Sequence, residues 1–126
     1  MFETKSKEKI MLEREVYDTI TYCADGKCAI VWVTLDMLKS LNIGEDEIEG
    51  LASIPRQIEG VLIGITMKEK EGGFFKISVR TNGDIDAAKF CSKFGGGGHK
   101  AAAGCSINGS LEDVRSQLIK AAEETL

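Results

Sequence analysis

Apolar residues recur at two different periods along this chain, and the change of period marks its elements. From about Lys5 to Tyr22, Ile10, Met11, Tyr17 and Ile20, with Leu12 and Val16 beside them, stand at helical spacing among charged residues, predicting a helix. Asp25-Gly26 predicts a turn. Cys28 to Val33 is a continuous apolar run rich in β-branched residues, the pattern of a strand covered on both faces. Thr34 is placed to cap a short helix through about Leu41, with Asp36 in its first turn. Glu45 to Ser53 reads as an acidic helix whose apolar positions are Ile48, Leu51 and Ala52. Pro55, the single proline, should push Ile54 towards extended backbone and make a rigid corner.

Period two then takes over. Val61 to Lys68 predicts a strand, Glu71-Gly72-Gly73 a hairpin loop and Phe74 to Thr81 the returning strand. In the last of these Phe75, Ile77 and Val79 alternate with Lys76, Ser78 and Arg80, so that Ser78 and Arg80 share the face turned away from the core. Asp86 precedes a helix from about Ala87 to Phe94, and Gly95 is suited to cap its end. Ala103 to Ile107 predicts another strand, Asn108-Gly109 a turn, and Ser110 the cap of a final amphipathic helix with Asp113 at the capping-box spacing. Strands and helices in alternation, with one hairpin, predict an α/β fold. The expected architecture is a single domain over residues 1–126, a small mixed β-sheet flanked by helices.

Composition narrows what such a domain does. A net charge of −4 argues against an extended basic nucleic-acid surface, so any nucleic acid bound would be short and held at a focused site. No apolar run approaches membrane-spanning length and Met1-Phe2-Glu3-Thr4-Lys5 lacks a signal-peptide core, from which we expect no membrane partner and a cytoplasmic location. Cys23, Cys28, Cys91 and Cys105 show no metal-binding spacing, and one histidine supplies no zinc set, so reduced, partly buried thiols are expected.

Candidate chemistry gathers at Phe94-Gly95-Gly96-Gly97-Gly98-His99-Lys100-Ala101-Ala102-Ala103-Gly104. Glycines let another molecule approach the main chain, and successive N–H groups in such a loop can form an anion-binding concavity. His99 and Lys100 add donors at its exit. A plain flexible loop is the competing reading, although linkers are usually polar on both sides, whereas an apolar run follows here. Ala101 after Lys100 removes the hydroxyl of a Walker loop, and the glycines follow a helix rather than a strand, which excludes a dinucleotide fingerprint. Arg80 is a natural bidentate partner for phosphate if its strand and the loop share a sheet edge; otherwise it is a solvated edge-strand arginine.

With Arg80, Pro55-Arg56 and the glycine–histidine stretch together, nearly the whole chain resembles the C-terminal, DHH-associated substrate-binding domain of DHH-family phosphoesterases. The nearest branch is the bifunctional oligoribonucleases that also dephosphorylate phosphoadenosine phosphate; RecJ-like exonucleases, cyclic-dinucleotide phosphodiesterases and exopolyphosphatase-related proteins are wider relatives. The resemblance implies a hydrolase with an N-terminal DHH domain carrying two manganese ions, and a possible homodimer. It implies that Gly96, Gly97, Gly98 and His99 bind substrate phosphate, with Ser78 and Arg80 beside them and Arg56 as a further candidate.

The departure from that family is the missing catalytic half. No Asp-His-His triplet occurs, and Asp84-Ile85-Asp86 reads as a turn former and a helix cap. This chain is therefore expected to bind short RNA or nucleotide phosphate without hydrolysing it and to hold no cofactor itself. The start at Met1-Phe2-Glu3 suggests a fragment of a longer protein. Two further readings stay open: an autonomous enzyme with His99 as acid–base at a glycine-rich oxyanion site, and a non-catalytic protein-interaction domain.

Overall fold

A computed structural model of the protein describes residues 4–126; Met1, Phe2 and Glu3, on which the expectation about the chain's start rests, lie outside them. The elements in chain order are α1 (Lys7–Asp18), β1 (Thr21–Cys23), β2 (Cys28–Val33), α2 (Leu35–Leu41), β3 (Ile63–Lys70), β4 (Phe74–Thr81), α3 (Ala87–Ser92), β5 (Gly97–Gly98), β6 (Ala102–Asn108) and α4 (Leu111–Thr125). The strands form one mixed sheet in the order β1-β2-β3-β4-β6-β5, in which β2 and β3 run parallel and all other neighbours antiparallel.

The expected α/β domain with a mixed sheet is present, with local differences that have physical causes. The first helix does not reach Tyr22. The Thr19 hydroxyl donates to the Val16 carbonyl and accepts the Trp32 N–H, which ends the helix against the sheet. Thr21–Cys23 then pairs with β2 as a strand. Of the apolar residues in α1, Leu12 and Val16, four apart, are buried on the sheet, whereas Ile10, Met11 and Tyr17 are half exposed. The acidic stretch before Pro55 is not one helix but 3-10 turns at Glu45–Glu47 and Glu49–Ser53. Its expected apolar positions Ile48, Leu51 and Ala52 are buried all the same. Ile54 is helical (φ −56°, ψ −55°) rather than extended, because its carbonyl accepts the Gln57 N–H to close another 3-10 turn. β3 begins two residues later than expected, at Ile63, where it meets the first residue of β2.

The two faces of the sheet are covered differently, and this creates the site. On one face Ile30, Ile65, Ile77, Phe75 and Val79 pack beneath α3 and α4 against Phe90, Val114 and Leu118. Each such aliphatic or aromatic burial contributes about 1.5–3 kcal/mol. On the other face Val31 and Val33 of β2 pack under α1, α2 and the 3-10 turns, through Leu12, Val16, Leu38, Leu51 and Ile54. That second layer crosses β3 and ends on the middle of β4, where the 3-10 turn Glu49–Ser53 meets the strand and Ser78 is buried. Around that end β4 and β6 present Lys76, Ser78 and Arg80, then Ala102, Gly104 and Ser106, residues too small or too polar to hold another helix. Half of this face is left open.

Candidate functional site

β4 organises the open half. It lies inside the sheet, between β3 and β6, so Arg80 is a half-buried residue of an interior strand and not a solvated edge arginine. Register places Arg80 opposite Ala102, and Ala102 in turn exchanges both main-chain hydrogen bonds with His99, at 2.8 and 3.3 Å. Ser78 opposes Gly104, which opposes Gly97 on the edge strand β5. Lys76 opposes Lys68 on β3. These cross-strand rows floor an open cleft of about 620 Å³.

The glycine loop is held in place from both ends. At its start α3 closes in a Schellman arrangement: Gly95, with φ of +80°, donates to the Ser92 carbonyl, and Gly96 donates to the Cys91 carbonyl. Gly95 thus caps the helix, as its position predicted. At its far end the buried Thr81 hydroxyl lies 2.8 Å from the Ile85 carbonyl and 3.1 Å from the Lys100 carbonyl. The Thr81 N–H donates to the Ala101 carbonyl, and Lys100 also accepts from Ala87. Between these anchors, ladder alternation about the His99–Ala102 pair turns the N–H and C=O of Gly98 away from β6, towards the free edge of the sheet. Thr81→Val keeps the shape and removes the hydroxyl. It should cost about 1–2 kcal/mol of stability, read by urea unfolding. The cross-peaks of His99 to Ala101 should move most.

Among the sequence-derived candidates, Gly97, Gly98, His99, Ser78 and Arg80 converge on this cleft. Gly96 and Arg56 do not line it. A Cβ on Gly96 would stand 2.2 Å from the Gly104 carbonyl oxygen, so this glycine is required for packing against β6. The Arg56 main chain crosses over Gly64, 2.7 Å from where a Cβ there would be, and its carbonyl accepts from the Asn82 amide. Sequence reasoning passed over Lys68 and Lys76, which also line the cleft. The signal for Lys76 was the alternation that already put it on the face of Ser78 and Arg80; Lys68 follows only from register.

Charge in the cleft is one-sided. Lys68, Lys76 and Arg80 stand around it with His99, and among the described residues no carboxylate lines it, on a chain of net charge −4. Half-burial of Arg80 between neighbouring strands strengthens its pull on an anion relative to open solvent. Its guanidinium Nη1 donates to the Val79 carbonyl at 3.2 Å, which leaves further N–H groups for a ligand. The thiols take no part. All four are free, and Cys28, Cys91 and Cys105 are buried. The hydrogen bond with Cys105, and then burial, push the Cys91 thiol above the usual thiol range. The partnership with Cys23, and burial, do the same for Cys28. Both stay protonated and pack. The arrangement as a whole can receive an anion on backbone and cations.

The DHHA1 domain matches residues 25–126 of the chain. A bifunctional oligoribonuclease and PAP phosphatase of Thermus thermophilus is 30% identical over 83 residues, which make up 65% of this chain and 25% of that protein. The match thus spans about a quarter of the curated relative. In shape the chain is similar to an exopolyphosphatase-related protein from Bacteroides fragilis, with a TM-score of 0.84 and 24% identity over 96% of this chain and 36% of that one. A pGpG-specific phosphodiesterase from Vibrio cholerae gives a TM-score of 0.61 at 17% identity, covering 95% of this chain and 40% of that one. The C-Ala domain of Aquifex aeolicus alanyl-tRNA synthetase gives 0.55 at 16%, covering 85% of this chain and 96% of that domain. These structural likenesses establish a shared fold.

Proposed function

Because the chain belongs to the DHHA1 domain family, we propose that it is the phosphate-gripping part of a phosphoesterase acting on short RNA or phosphoadenosine nucleotides. The observation that carries this reading is the convergence of Arg80, His99, Ser78, Gly97 and Gly98 on one cleft that, among the described residues, no carboxylate lines. In this proposal the Arg80 guanidinium pairs with phosphate oxygens in a fork, the Gly98 N–H and the imidazole donate beside it, and bare glycine lets the ligand come close to the main chain. These groups bind and orient.

Among the described residues no three His, Cys, Asp or Glu side chains are grouped to hold a metal ion, so those residues do not fit a two-manganese centre. We therefore assign bond cleavage to a separate DHH domain and derive no step of it here. Also in this reading, the free thiols and the absence of any described helix long and apolar enough to cross a membrane accord with a cytoplasmic enzyme.

The test is a heteronuclear NMR titration with adenosine 3′,5′-bisphosphate and, separately, a short oligoribonucleotide, with inorganic phosphate as control. Shifts should centre on Gly97, Gly98, His99 and Arg80, and His99→Ala should weaken binding several-fold without altering the rest of the spectrum. An unperturbed loop at millimolar ligand would sink the proposal. A second reading, a protein-docking module, is favoured by the exposure of Ile10 and Tyr17, two turns apart on one side of α1. Concentration-dependent line broadening confined to α1 would show self-association through that side.

A further inference from the structure

We infer that Cys23 and Cys28 form a peroxide-responsive dithiol, a modification site at which the two thiols close to a disulfide and reopen with a thiol reductant. The site lies on the β1–β2 hairpin, at the opposite end of the sheet from the glycine loop, so its chemistry is independent of phosphate binding. Cys23 and Cys28 are direct partners across β1 and β2. Paired antiparallel residues hold their Cα atoms about 4.5–5.5 Å apart, inside the range of about 4.4–6.8 Å that a disulfide spans. Both side chains turn to the same core, Cys28 buried in it and Cys23 partly exposed at its margin. The hairpin between them is clamped. Ala24, Asp25 and Gly26 are all left-handed, at φ of 50°, 55° and 81°, a conformation costly for a residue with a side chain. It is held by the Lys27 N–H, which donates to the Ala24 carbonyl at 3.1 Å, and by the Lys27 carbonyl, which accepts from Leu62 and Ile63 at 2.7 and 3.1 Å. The thiols are thus kept face to face without any movement of the loop.

The two thiols have separate roles. The hydrogen bond from the Cys28 thiol draws Cys23 below the usual thiol range, against burial and the Glu123 carboxylate of α4. The same bond, with burial, keeps Cys28 protonated. Thiolate character and exposure together select where oxidation begins, and both favour Cys23. Its thiolate sulfur bonds one oxygen of hydrogen peroxide, the O–O bond breaks, and the hydroxide released takes up a proton and leaves as water. Cys28 then resolves the sulfenic acid: the S–S bond forms, the S–O bond breaks, and the hydroxyl departs with the Cys28 proton as a second water. Two thiols give two electrons to one peroxide. Cys91 and Cys105 also share a hydrogen bond, yet both are buried, and Cys105 lies against Gly96, which withholds the pair from an oxidant. The chain carries its own control.

The experiment treats the folded wild-type chain with a molar excess of hydrogen peroxide, quenches it with catalase, and unfolds it in an alkylating agent. The four alkylatable thiols should fall to two. Trypsin cleaves after Lys27, between the two cysteines, so peptides 15–27 and 28–39 should appear joined without reductant and separate after dithiothreitol. Cys91 and Cys105 should both carry the alkyl label. Cys28→Ser should stop at the sulfenic acid, trapped on Cys23 by dimedone, and Cys23→Ser should leave Cys28 alkylatable. Four free thiols after treatment of the wild type, a link between Cys91 and Cys105 in its place, or a dimer bridged through Cys23 would each overturn the pairing. The wild-type peptide map decides between these outcomes whether or not the serine variants fold.

Discussion

Arg80→Ala should weaken binding of a 5′-phosphorylated nucleotide by roughly thirty- to a hundred-and-fiftyfold. The figure follows from losing charge-assisted hydrogen bonds worth about 2–3 kcal/mol to a half-buried guanidinium. The same change should leave stability nearly untouched, since among the described residues the acceptor found for that side chain is the neighbouring Val79 carbonyl. Calorimetry on the variant and the wild type, with urea unfolding beside it, separates the two effects. Arg80→Lys adds a sharper comparison. It keeps the charge and loses the planar fork, so it should recover only a part of the affinity. Full recovery by lysine would mean that the site reads charge alone, and an alanine variant that binds like the wild type would remove Arg80 from the site.

The second large effect concerns two adjacent glycines that ought to behave as opposites. In Gly96→Ala the new methyl would stand 2.2 Å from the Gly104 carbonyl oxygen and 2.5 Å from the Cys105 Cβ, so the loop and β6 must separate. Overpacking of main chain against main chain has no flexible side chain to yield, and a loss of roughly 3 kcal/mol is expected. On a domain of this size that lowers the melting temperature by roughly 10–15 °C. In Gly97→Ala the methyl meets nothing within 4 Å, and stability should change by less than about 0.5 kcal/mol. Ligand binding should nevertheless drop at least tenfold, because that methyl occupies the middle of the cleft floor. Thermal melts and titrations on the pair check both halves. A stable Gly96→Ala, or a Gly97→Ala that binds normally, would contradict this account of the loop.

The contrast also shows where sequence reading stops. Four identical glycines give no hint of which one is pressed against β6 and which faces open space; only the Gly97–Gly104 pairing separates their roles. Elements announced by local chemistry were legible to the residue. Thr34 caps α2 through the Met37 N–H, and the strict alternation of β4 fixes both its limits and the face of Arg80. Elements defined by a distant partner were not. Tyr22 continues an apolar series that suits a helix, and only pairing with β2 makes it part of a strand. Lys68 reaches the cleft because the register that pairs Lys70 with Phe74 also sets it opposite Lys76. The acidic stretch to Ser53 had the right buried residues and the wrong regularity, since 3-10 turns bury the same side chains with fewer residues per turn.

The edge strand β5 carries a kinetic consequence. It is two glycines long, pairs with β6 alone, and sits between a helix cap and the Thr81 anchor. Glycine surrenders more chain entropy on ordering than any other residue, so this short rung stands at the low end of the domain's local stabilities. Its amides should exchange with deuterium far sooner than those of β3 and β4, through brief openings that leave the sheet intact. The measured affinity is then the intrinsic one scaled by the fraction of molecules in which the rung is closed. A ligand that meets the closed form holds it shut, and the exchange rate of the Gly97 amide becomes a gauge of occupancy that needs no label on the ligand.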